Sequence, residues 1–461
     1  MVRLFNHWFA ANTILRVLFD AILLVVGFML AAVWLTRGTL PSVDVIASAL
    51  LFAITMIVLN SLVGLYRRDP YRSTTQTAAR FAVSLVLAAP IAWFTFRISD
   101  VGGVHQDALN LAAVVALVLL IAGRAYATRR QGSRMFTRRV LVLGTGPEAV
   151  EVDNSLRQFA PGMAIVGFYP VQQSEPRDVA VTGDRVFPGA LSLRDTVAAH
   201  DVDDLIVAVR ERRGGVLPLN ELLECKLTGV RVLDLSSYYE RALGQVRLDT
   251  LHASWLIFGD GFRQGFVRTT VKRIFDIVVS LALLLLALPV ALVTAGLIAL
   301  ESGFPVLYRQ ERIGQAGRVI RVIKFRSMHR DAERDGMPRW ALSNDSRVTR
   351  VGRYIRKLRI DELPQLINVL KGDMSLVGPR PERPFFVDNL TRQIPFYAAR
   401  HSVKPGITGW AQVRYHYGAT VDDALQKLQY DLYYVKNHTL FLDMLILFET
   451  VGVVITGEGA Q

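Results

Sequence analysis

The sequence predicts a membrane protein of mixed α + α/β class: a four-helix transmembrane N-terminal bundle, an α/β middle unit, and a further apolar segment that leads into a mainly helical C-terminal domain. Three observations carry this. Apolar runs at 17–35, 45–65, 81–96 and 108–122 are too long and too closely spaced for a soluble core. From about 137 to 258 short apolar runs alternate with helical patterns. Residues 277–300 form another apolar stretch, with Pro289 at its middle and basic residues at both ends. A chain of 461 residues with 51% hydrophobic content has room for all of these units.

The first four runs read as spans, the last two extending into flanking polar residues to reach across. Asp20, Asn60 and Pro90 interrupt them. Asp20 either marks a polar path or, about one turn inside its helix, reaches the interface. Charge sets the orientation. Arg67, Arg68, Arg72 and Arg80 against Asp69 lie between the second and third spans, whereas the first loop has Arg37 and Asp44 and the third has Arg97, Asp100 and Asp107. Arg124, Arg129, Arg130, Arg134, Arg138 and Arg139 follow the fourth without an acid. The N-terminus and everything after residue 123 are therefore expected on the cytoplasmic side. The first run exceeds a signal-peptide core and lacks a small-residue cleavage site, so it reads as retained.

The formal charge of +13 raises nucleic acid as a partner. The basic residues cluster beside apolar segments, where anionic head groups attract them, and zinc-finger or single-strand-binding signatures are lacking; the sequence favours membrane lipids and no nucleic acid. The single Cys225 excludes an internal disulfide and a thiolate cluster, and the eight histidines form no His-Glu-x-x-His pair.

In the middle unit, 140–143 has a buried-strand pattern and is followed by Gly144-Thr145-Gly146-Pro147-Glu148-Ala149; further strands are expected at 165–168, 205–209 and 230–233. A glycine turn between strand and helix can cradle phosphate. Here Ala149 stands at the third glycine position and no acid follows the second strand to hold a ribose hydroxyl. A dinucleotide site, a packing and dimerisation module, and a degenerate nucleotide sensor all remain open.

The segment 277–300 is long enough to span. Arg268, Lys272 and Arg273 precede it, and Arg309, Arg312, Arg318, Arg321 and Lys324 follow, so both ends are expected to face the cytoplasm. Pro289 would let it enter one leaflet, turn and return; a kinked full span is the alternative. Residues 440–455 are apolar but contain Asp443 and Glu449, which suits an interfacial or domain-capping helix. Trp410 with Tyr430, Tyr433 and Tyr434 fits either the interface or a core.

Asp361-Glu362-Leu363-Pro364 opens the most informative stretch. Leu363, Leu366, Ile367 and Leu370 recur at helical spacing, which predicts a helix starting near Asp361 with that face buried. An acid pair at a helix start is an ordinary cap, and it is also a carboxylate favoured by the positive helix end, where phosphate is favoured too. Pro364 suits a first turn.

From about Lys272 to the C-terminus the chain resembles the bacterial sugar transferase family, the monotopic polyprenyl-phosphate phosphoglycosyl transferases. The resemblance rests on Lys272-Arg273-Ile274-Phe275-Asp276, Arg309-Gln310-Glu311-Arg312-Ile313-Gly314, Lys324-Phe325-Arg326-Ser327-Met328, the acid pair, Lys371 to Pro381, and Lys404-Pro405-Gly406-Ile407-Thr408-Gly409-Trp410-Ala411-Gln412-Val413. It implies four regions: transmembrane helices at 1–130, a Rossmann-like domain at 137–262, a re-entrant membrane hairpin at 268–302, and a catalytic domain at 303–461. Members often carry Ser-Pro at the hairpin break, where this chain has Leu288-Pro289.

The resemblance further implies that Asp361 attacks the sugar-linked phosphate of a UDP-sugar, releasing UMP, and that undecaprenyl phosphate then accepts the phosphosugar. Glu362 is assigned to metal binding or to support of the nucleophile, with Asp361 as a second ligand, and magnesium is the expected ion. Arg380, between Pro379 and Pro381, is placed on the nucleotide. Lys324, Arg326 and Arg359 are candidate phosphate contacts or, equally, structural or lipid-facing cations. Lys272, Arg273, Asp276 and Pro289 are assigned to the membrane segment and its lipids. The larger members further suggest UDP-glucose as donor, a homodimer, and the start of exopolysaccharide, capsule or O-antigen synthesis at the bacterial inner membrane. Two rivals stand beside this reading. A membrane-bound NAD-dependent epimerase or dehydratase would need a Tyr-x-x-x-Lys pair, which the sequence lacks. In a non-enzymatic scaffold the acid pair would only be a cap.

Overall fold

A computed structural model describes residues 2–4, 7–9, 11–35, 43–66, 83–84, 86–88, 90, 106–129, 138–159, 163–171, 180–181, 185–188, 191–209, 217–248, 265–329, 347–415, 418 and 420–456. Beyond the first residues, the chain divides into one compact unit over Trp8–Leu243 and another over Gly244–Gln461.

The first unit begins with α1 (Ala11–Leu35), α2 (Val43–Leu62) and α3 (Gln106–Arg129). Thr13–Trp34 and Val45–Leu62 are long and apolar enough to cross a bilayer, and α3 carries the shorter apolar stretch Ala113–Gly123. The expected span at 81–96 and the basic loop at 67–80 lie largely outside the described residues. Leu24, Phe28, Phe52, Met56, Ala116 and Leu120 interlock in the bundle core. Asp20 lies within α1, which starts at Ala11, and is 2% exposed; its Oδ2 accepts a 2.8 Å hydrogen bond from the Tyr66 hydroxyl, just beyond the apolar stretch of α2. Asn60 is matched on one side, its Oδ1 accepting from the Ser84 hydroxyl at 2.6 Å, while its buried Nδ2 has no partner among the described residues. Polar groups in such a bundle must find partners inside it because lipid offers none.

The same unit holds a four-stranded parallel sheet. β1 (Arg138–Leu143) lies between β2 (Met163–Tyr169) and β3 (Asp204–Val207), and β4 (Arg231–Asp234) extends the sheet beyond β3. These strands overlap the four expected ones. Parallel strands require crossovers, which α4 (Pro147–Phe159), α5 (Leu193–Ala199) and α6 (Leu219–Leu227) supply, while α7 (Leu235–Leu243) follows β4. Gly144 has a φ of 120°, and a Cβ there would sit 2.6 Å from the Ala208 carbonyl oxygen. This glycine is demanded by the close approach of the neighbouring strand's end.

The second unit is organised on α8 (Phe266–Ser302), a single 37-residue helix with Pro289 inside it, apolar enough to cross a membrane and exposing Leu285, Leu286 and Leu292. Its first half, through Phe275, Val279 and Leu284, packs on the core containing Leu366, Val369, Trp410 and Tyr433. Its second half, through Ala291, Ala295 and Ile298, packs with Phe325 and Ile355. An antiparallel hairpin follows, β5 (Leu307–Ile313) with β6 (Val319–Phe325). Then come α9 (Arg350–Lys357), the 3-10 turn Ile360–Glu362, α10 (Gln365–Lys371), and the parallel pair β7 (Ser375–Val377) and β8 (Gly406–Thr408), with α11 (Pro384–Gln393) between the last two. The chain closes with α12 (Trp410–Arg414), α13 (Val421–Asn437) and α14 (Leu440–Thr456). Thr420 and Asp423 begin α13 with a reciprocal capping box.

Trp410 belongs to this core. It is 2% exposed, stacks on Tyr433 with ring centroids 5.9 Å apart, and donates its Nε1 hydrogen to the Gly244 carbonyl at 2.9 Å. α14 is domain-capping: Leu442 and Ile446 are fully buried, Asp443 meets Lys272 at 2.6 Å, and Glu449 meets Arg414 at 2.7 Å. Trp410→Ala is expected to destabilise the second unit by about 3–5 kcal/mol, the cost of emptying a large aromatic site. Thermal unfolding of the detergent-solubilised protein, followed by near-ultraviolet circular dichroism, checks this.

Candidate active site

The acid pair does not cap a helix. α10 begins only at Gln365, with Pro364 at its N-cap position, while Asp361 and Glu362 lie in the preceding 3-10 turn. The cause is Arg359, whose left-handed φ of 58° ends α9 and turns the chain sharply. For a residue with a Cβ this conformation costs about 1–2 kcal/mol, and such residues cluster at functional sites. The buried face also differs from the expected one. Gln365, Leu366, Asn368 and Val369 are buried, whereas Leu363, Ile367 and Leu370 are intermediate.

Asn368 turns this face into a positioning device. Its Oδ1 accepts from the Ile323 amide at 3.0 Å and its Nδ2 donates to the Arg321 carbonyl at 2.8 Å. An amide side chain that satisfies both groups of a strand fixes the register of β6 against α10. Lys324 is thereby carried to Glu362, its Nζ 3.1 Å from Oε1. Arg380 Nη2 reaches the same oxygen at 2.8 Å, and Arg359 Nη1 lies 3.9 Å from it. Three cations from three segments thus converge on one carboxylate oxygen.

The two acids are electrostatically unlike although each is only 8% exposed. Burial pushes the Glu362 carboxyl up, but the charges of Arg380, Lys324 and Arg359 outweigh it and hold the group well below the ordinary range. Asp361 is pushed up by burial and by the negative charge of Glu362, against the pull of Lys324, Arg356 and Arg380. Glu362 is thus favoured as the anion, and Asp361 beside it is the carboxyl disfavoured in its charged form.

The loop that presents Arg380 is held from behind by residues that periodicity did not single out for the site. Arg400 donates to the Arg380 carbonyl at 3.0 Å while bonding the Tyr397 hydroxyl at 2.6 Å and pairing with Asp431 at 2.7 Å. Arg312 donates to the Pro381 carbonyl at 3.1 Å. The Pro379 carbonyl accepts from the Gly406 amide at 3.0 Å. Both prolines are buried in this loop. A Cβ on Gly378 would fall 2.3 Å from the Lys404 carbonyl oxygen, so glycine alone lets the two segments touch. The signals in the sequence were Gly378 and Gly406 themselves, since a glycine within a strand pattern marks close backbone approach.

Four expected site residues lie elsewhere. Arg326 binds the end of α8, donating to the Ser302 carbonyl and hydroxyl, each at 2.9 Å, and to the Gly303 carbonyl. Arg273 donates to the Val369 and Leu370 carbonyls at 2.6 and 2.7 Å, closing the C-terminal end of α10. Lys272 pairs with Asp443, and Asp276 accepts from the Leu376 amide at 3.3 Å. Lys272, Arg273 and Asp276 thus make these contacts within the fold, on the side of α8 that packs on α10 and β7. Pro289 lines an apolar cavity of about 470 Å³ with Val293, Leu297, Tyr354, Ile355 and Ile360, the last adjacent in sequence to Asp361.

Comparison with known proteins gives a consistent picture. Residues 267–457 match the family described as bacterial sugar transferase. The chain is 47% identical over 240 residues to the UDP-N-acetylgalactosamine-undecaprenyl-phosphate N-acetylgalactosaminephosphotransferase of Aeromonas hydrophila, covering 52% of this chain and 56% of that one. It is 34% identical over 320 residues to the UDP-glucose:undecaprenyl-phosphate glucose-1-phosphate transferase of Klebsiella pneumoniae, covering 68% and 67%. Against the protein of the same name from Escherichia coli (strain K12) it is 44% identical over 189 residues, covering 40% of each. The chain thus spans about half the length of the Aeromonas and Escherichia relatives.

Glu362→Gln removes the negative neighbour of Asp361 and releases three cations at once. The Asp361 titration is expected to move to lower pH in that variant, as read by carboxyl carbon NMR; an unchanged or higher midpoint would contradict the coupling.

Proposed function

The chain belongs to the bacterial sugar transferase family, and on that premise we propose that it transfers a hexose-1-phosphate from a UDP-sugar to undecaprenyl phosphate. The observation that carries this reading is the convergence of Lys324, Arg359 and Arg380 on one oxygen of Glu362, with Asp361 beside it. Three cations exceed what one carboxylate requires and suit a diphosphate. In the reaction, an Asp361 oxygen attacks the sugar-bearing phosphorus, the bond to the bridging oxygen breaks, and UMP leaves with that oxygen. An oxygen of undecaprenyl phosphate then attacks the aspartyl phosphosugar and restores the carboxylate. Diphosphate beside Asp361 brings negative charge, while binding to the cations holds that charge in place; Glu362 remains ionised throughout. The product is the undecaprenyl-diphosphate sugar that begins a surface polysaccharide.

Magnesium fits this arrangement in a limited way. Among the described residues no three His, Cys, Asp or Glu side chains gather as a metal site. Such an ion would be held by Asp361, by the second oxygen of Glu362, and chiefly by the donor's own phosphates, as is common for magnesium. When bound it would offset the repulsion between carboxylate and diphosphate.

The acceptor reading draws support from α8. Arg273 ties its first half to α10, while Arg326 grips its last residues and Glu301 accepts from the Arg350 and Val351 amides at 2.8 and 3.0 Å. Attachment of both helix ends to one compact unit supports entry and exit on the same side of a bilayer, the re-entrant form, with Pro289 at the kink and the exposed leucines in one leaflet. The apolar cavity beside Pro289 and Ile360 then suits the first isoprene units of the acceptor, with its phosphate toward Asp361. On this reading the catalytic domain lies on the cytoplasmic face of the bacterial inner membrane, as the basic flanks of α8 favour. The N-terminal helices are read as a four-helix bundle and the parallel sheet as Rossmann-like, with Gly144 serving strand packing more than nucleotide binding.

UDP-glucose is the proposed donor. UDP-N-acetylgalactosamine is the second reading, favoured by the Aeromonas relative. Purified protein with magnesium and labelled UDP-sugar is expected to release UMP and retain label covalently, while Asp361→Asn does neither. Equal labelling of that variant would remove Asp361 from the nucleophile role. Arg380→Met is expected to raise KM for the UDP-sugar about tenfold or more, the loss of one charge-assisted contact. A panel of UDP-sugars assayed for UMP release decides between the donors.

A further inference from the structure

The C-terminal end of α10, away from the acid pair, borders a second cavity, of about 240 Å³, lined by Arg268, Lys272, Arg273, Asp276, Lys404 and Tyr434 among others. Four of these are cations. Lys272 is matched by Asp443 at 2.6 Å and by Asp276 at 3.9 Å. The other three pair with no carboxylate among the described residues. Arg273 spends its guanidinium on the Val369 and Leu370 carbonyls, and Arg268 reaches the His438 carbonyl at 3.4 Å. Lys404 has no hydrogen bond or ion pair with any described residue. Yet its ammonium stands near Arg273: the position of a Cβ on Gly372 would be 3.6 Å from Lys404 Nζ and 3.4 Å from Arg273 Nη2.

Like charges gathered around a cavity repel unless an anion joins them. Burial and the charges of Arg273 and Lys272 push the Lys404 ammonium down, outweighing Asp276 and Asp373. The location specifies the anion further. Arg268 and Lys272 stand in the first turns of α8, whose middle turns expose leucines. Basic residues at the head of such a helix lie at the depth of lipid phosphates. α10 has 7 residues, so its length separates this cavity from the acid pair by about 10 Å.

We propose that this cavity is a phosphate-binding site, distinct from the acid pair, that takes the head-group phosphate of an anionic phospholipid at the membrane surface. Lys404 supplies the open charge and Arg268 and Arg273 the flanking ones. The site does not depend on the transferase reading, since none of its side chains touches Asp361 or Glu362.

The test uses the full chain in a neutral detergent with three probes: short-chain phosphatidylglycerol, short-chain phosphatidylcholine and inorganic phosphate. Phosphatidylglycerol is expected to bind saturably and to raise the Tm, with phosphatidylcholine doing neither. Lys404→Gln should weaken phosphatidylglycerol about tenfold, as loss of one charge-assisted contact does, and Lys404→Arg should retain it. Without lipid, Lys404→Gln should unfold at or above the wild-type Tm, because it removes repulsion; a purely structural lysine would lower it. Equal affinity of wild type and Lys404→Gln for phosphatidylglycerol, or equal binding of phosphatidylcholine, overturns the proposal. Saturable binding of inorganic phosphate without any phosphatidylglycerol effect overturns the lipid source and leaves a soluble phosphate ligand.

Discussion

One oxygen of Glu362 gathers the end of β6, the left-handed turn after α9 and the Gly-Pro-Arg-Pro loop into a single site, through Lys324, Arg359 and Arg380. Three half-buried cations, each within 4 Å of that one oxygen, would repel one another without its charge. Glu362 therefore sets the geometry that a diphosphate would meet, and its ionisation is secured by the same cations it organises. Asp361, one residue earlier, is left with the raised pKa and the changeable charge. The pair divides its labour by environment, as neighbouring carboxylates in low-dielectric sites tend to.

Around this point the second unit is built to prevent motion. Asn368 locks β6 to α10, Arg400 and Arg312 hold the carbonyls of the loop that carries Arg380, and Gly378 lets that loop lie backbone to backbone on β8. Each of these partners is a main-chain group, so each fixes position and not merely proximity. α8 is bound at both ends into the same framework, by Arg273 against α10 and by Arg326 and Glu301 near β6 and α9. The long apolar helix and the acid pair are thus tied into the same packed unit.

Sequence reading recovered the parallel strands closely, because an α/β unit repeats a short and regular pattern that local burial dictates. The acid pair and Arg380 are legible in the sequence, but the pair stands in a 3-10 turn and not at the helix start its spacing suggests. The spacing of Leu363, Leu366, Ile367 and Leu370 fits a helix from Asp361 onward; Arg359 in the left-handed region breaks that continuity, and nothing in an arginine announces a positive φ. Arg326, Lys272, Arg273 and Asp276 are expected at the site or membrane from the family motifs, and Lys272 and Arg273 also from basic charge beside apolar sequence. Their hydrogen bonds run to carbonyls and carboxylates far along the chain, which local pattern cannot reveal. Trp410 and Glu449 were ambiguous for the same reason, since a core and an interface both accept an amphipathic residue.

By itself the sequence determined the apolar helices at 11–35, 43–62 and 266–302, the α/β unit, the basic flanks of the segment that carries Pro289, and the motif residues that carry family membership. These are properties of composition, period and spacing. Tertiary structure alone decided which cations meet Glu362, that Asp361 stands in a 3-10 turn with its pKa raised by burial and by its neighbour, and that Lys404 is left unmatched beside Arg273. Ion pairing falls off over a few ångströms, and the chain segments that bring these charges that close are separated by tens of residues.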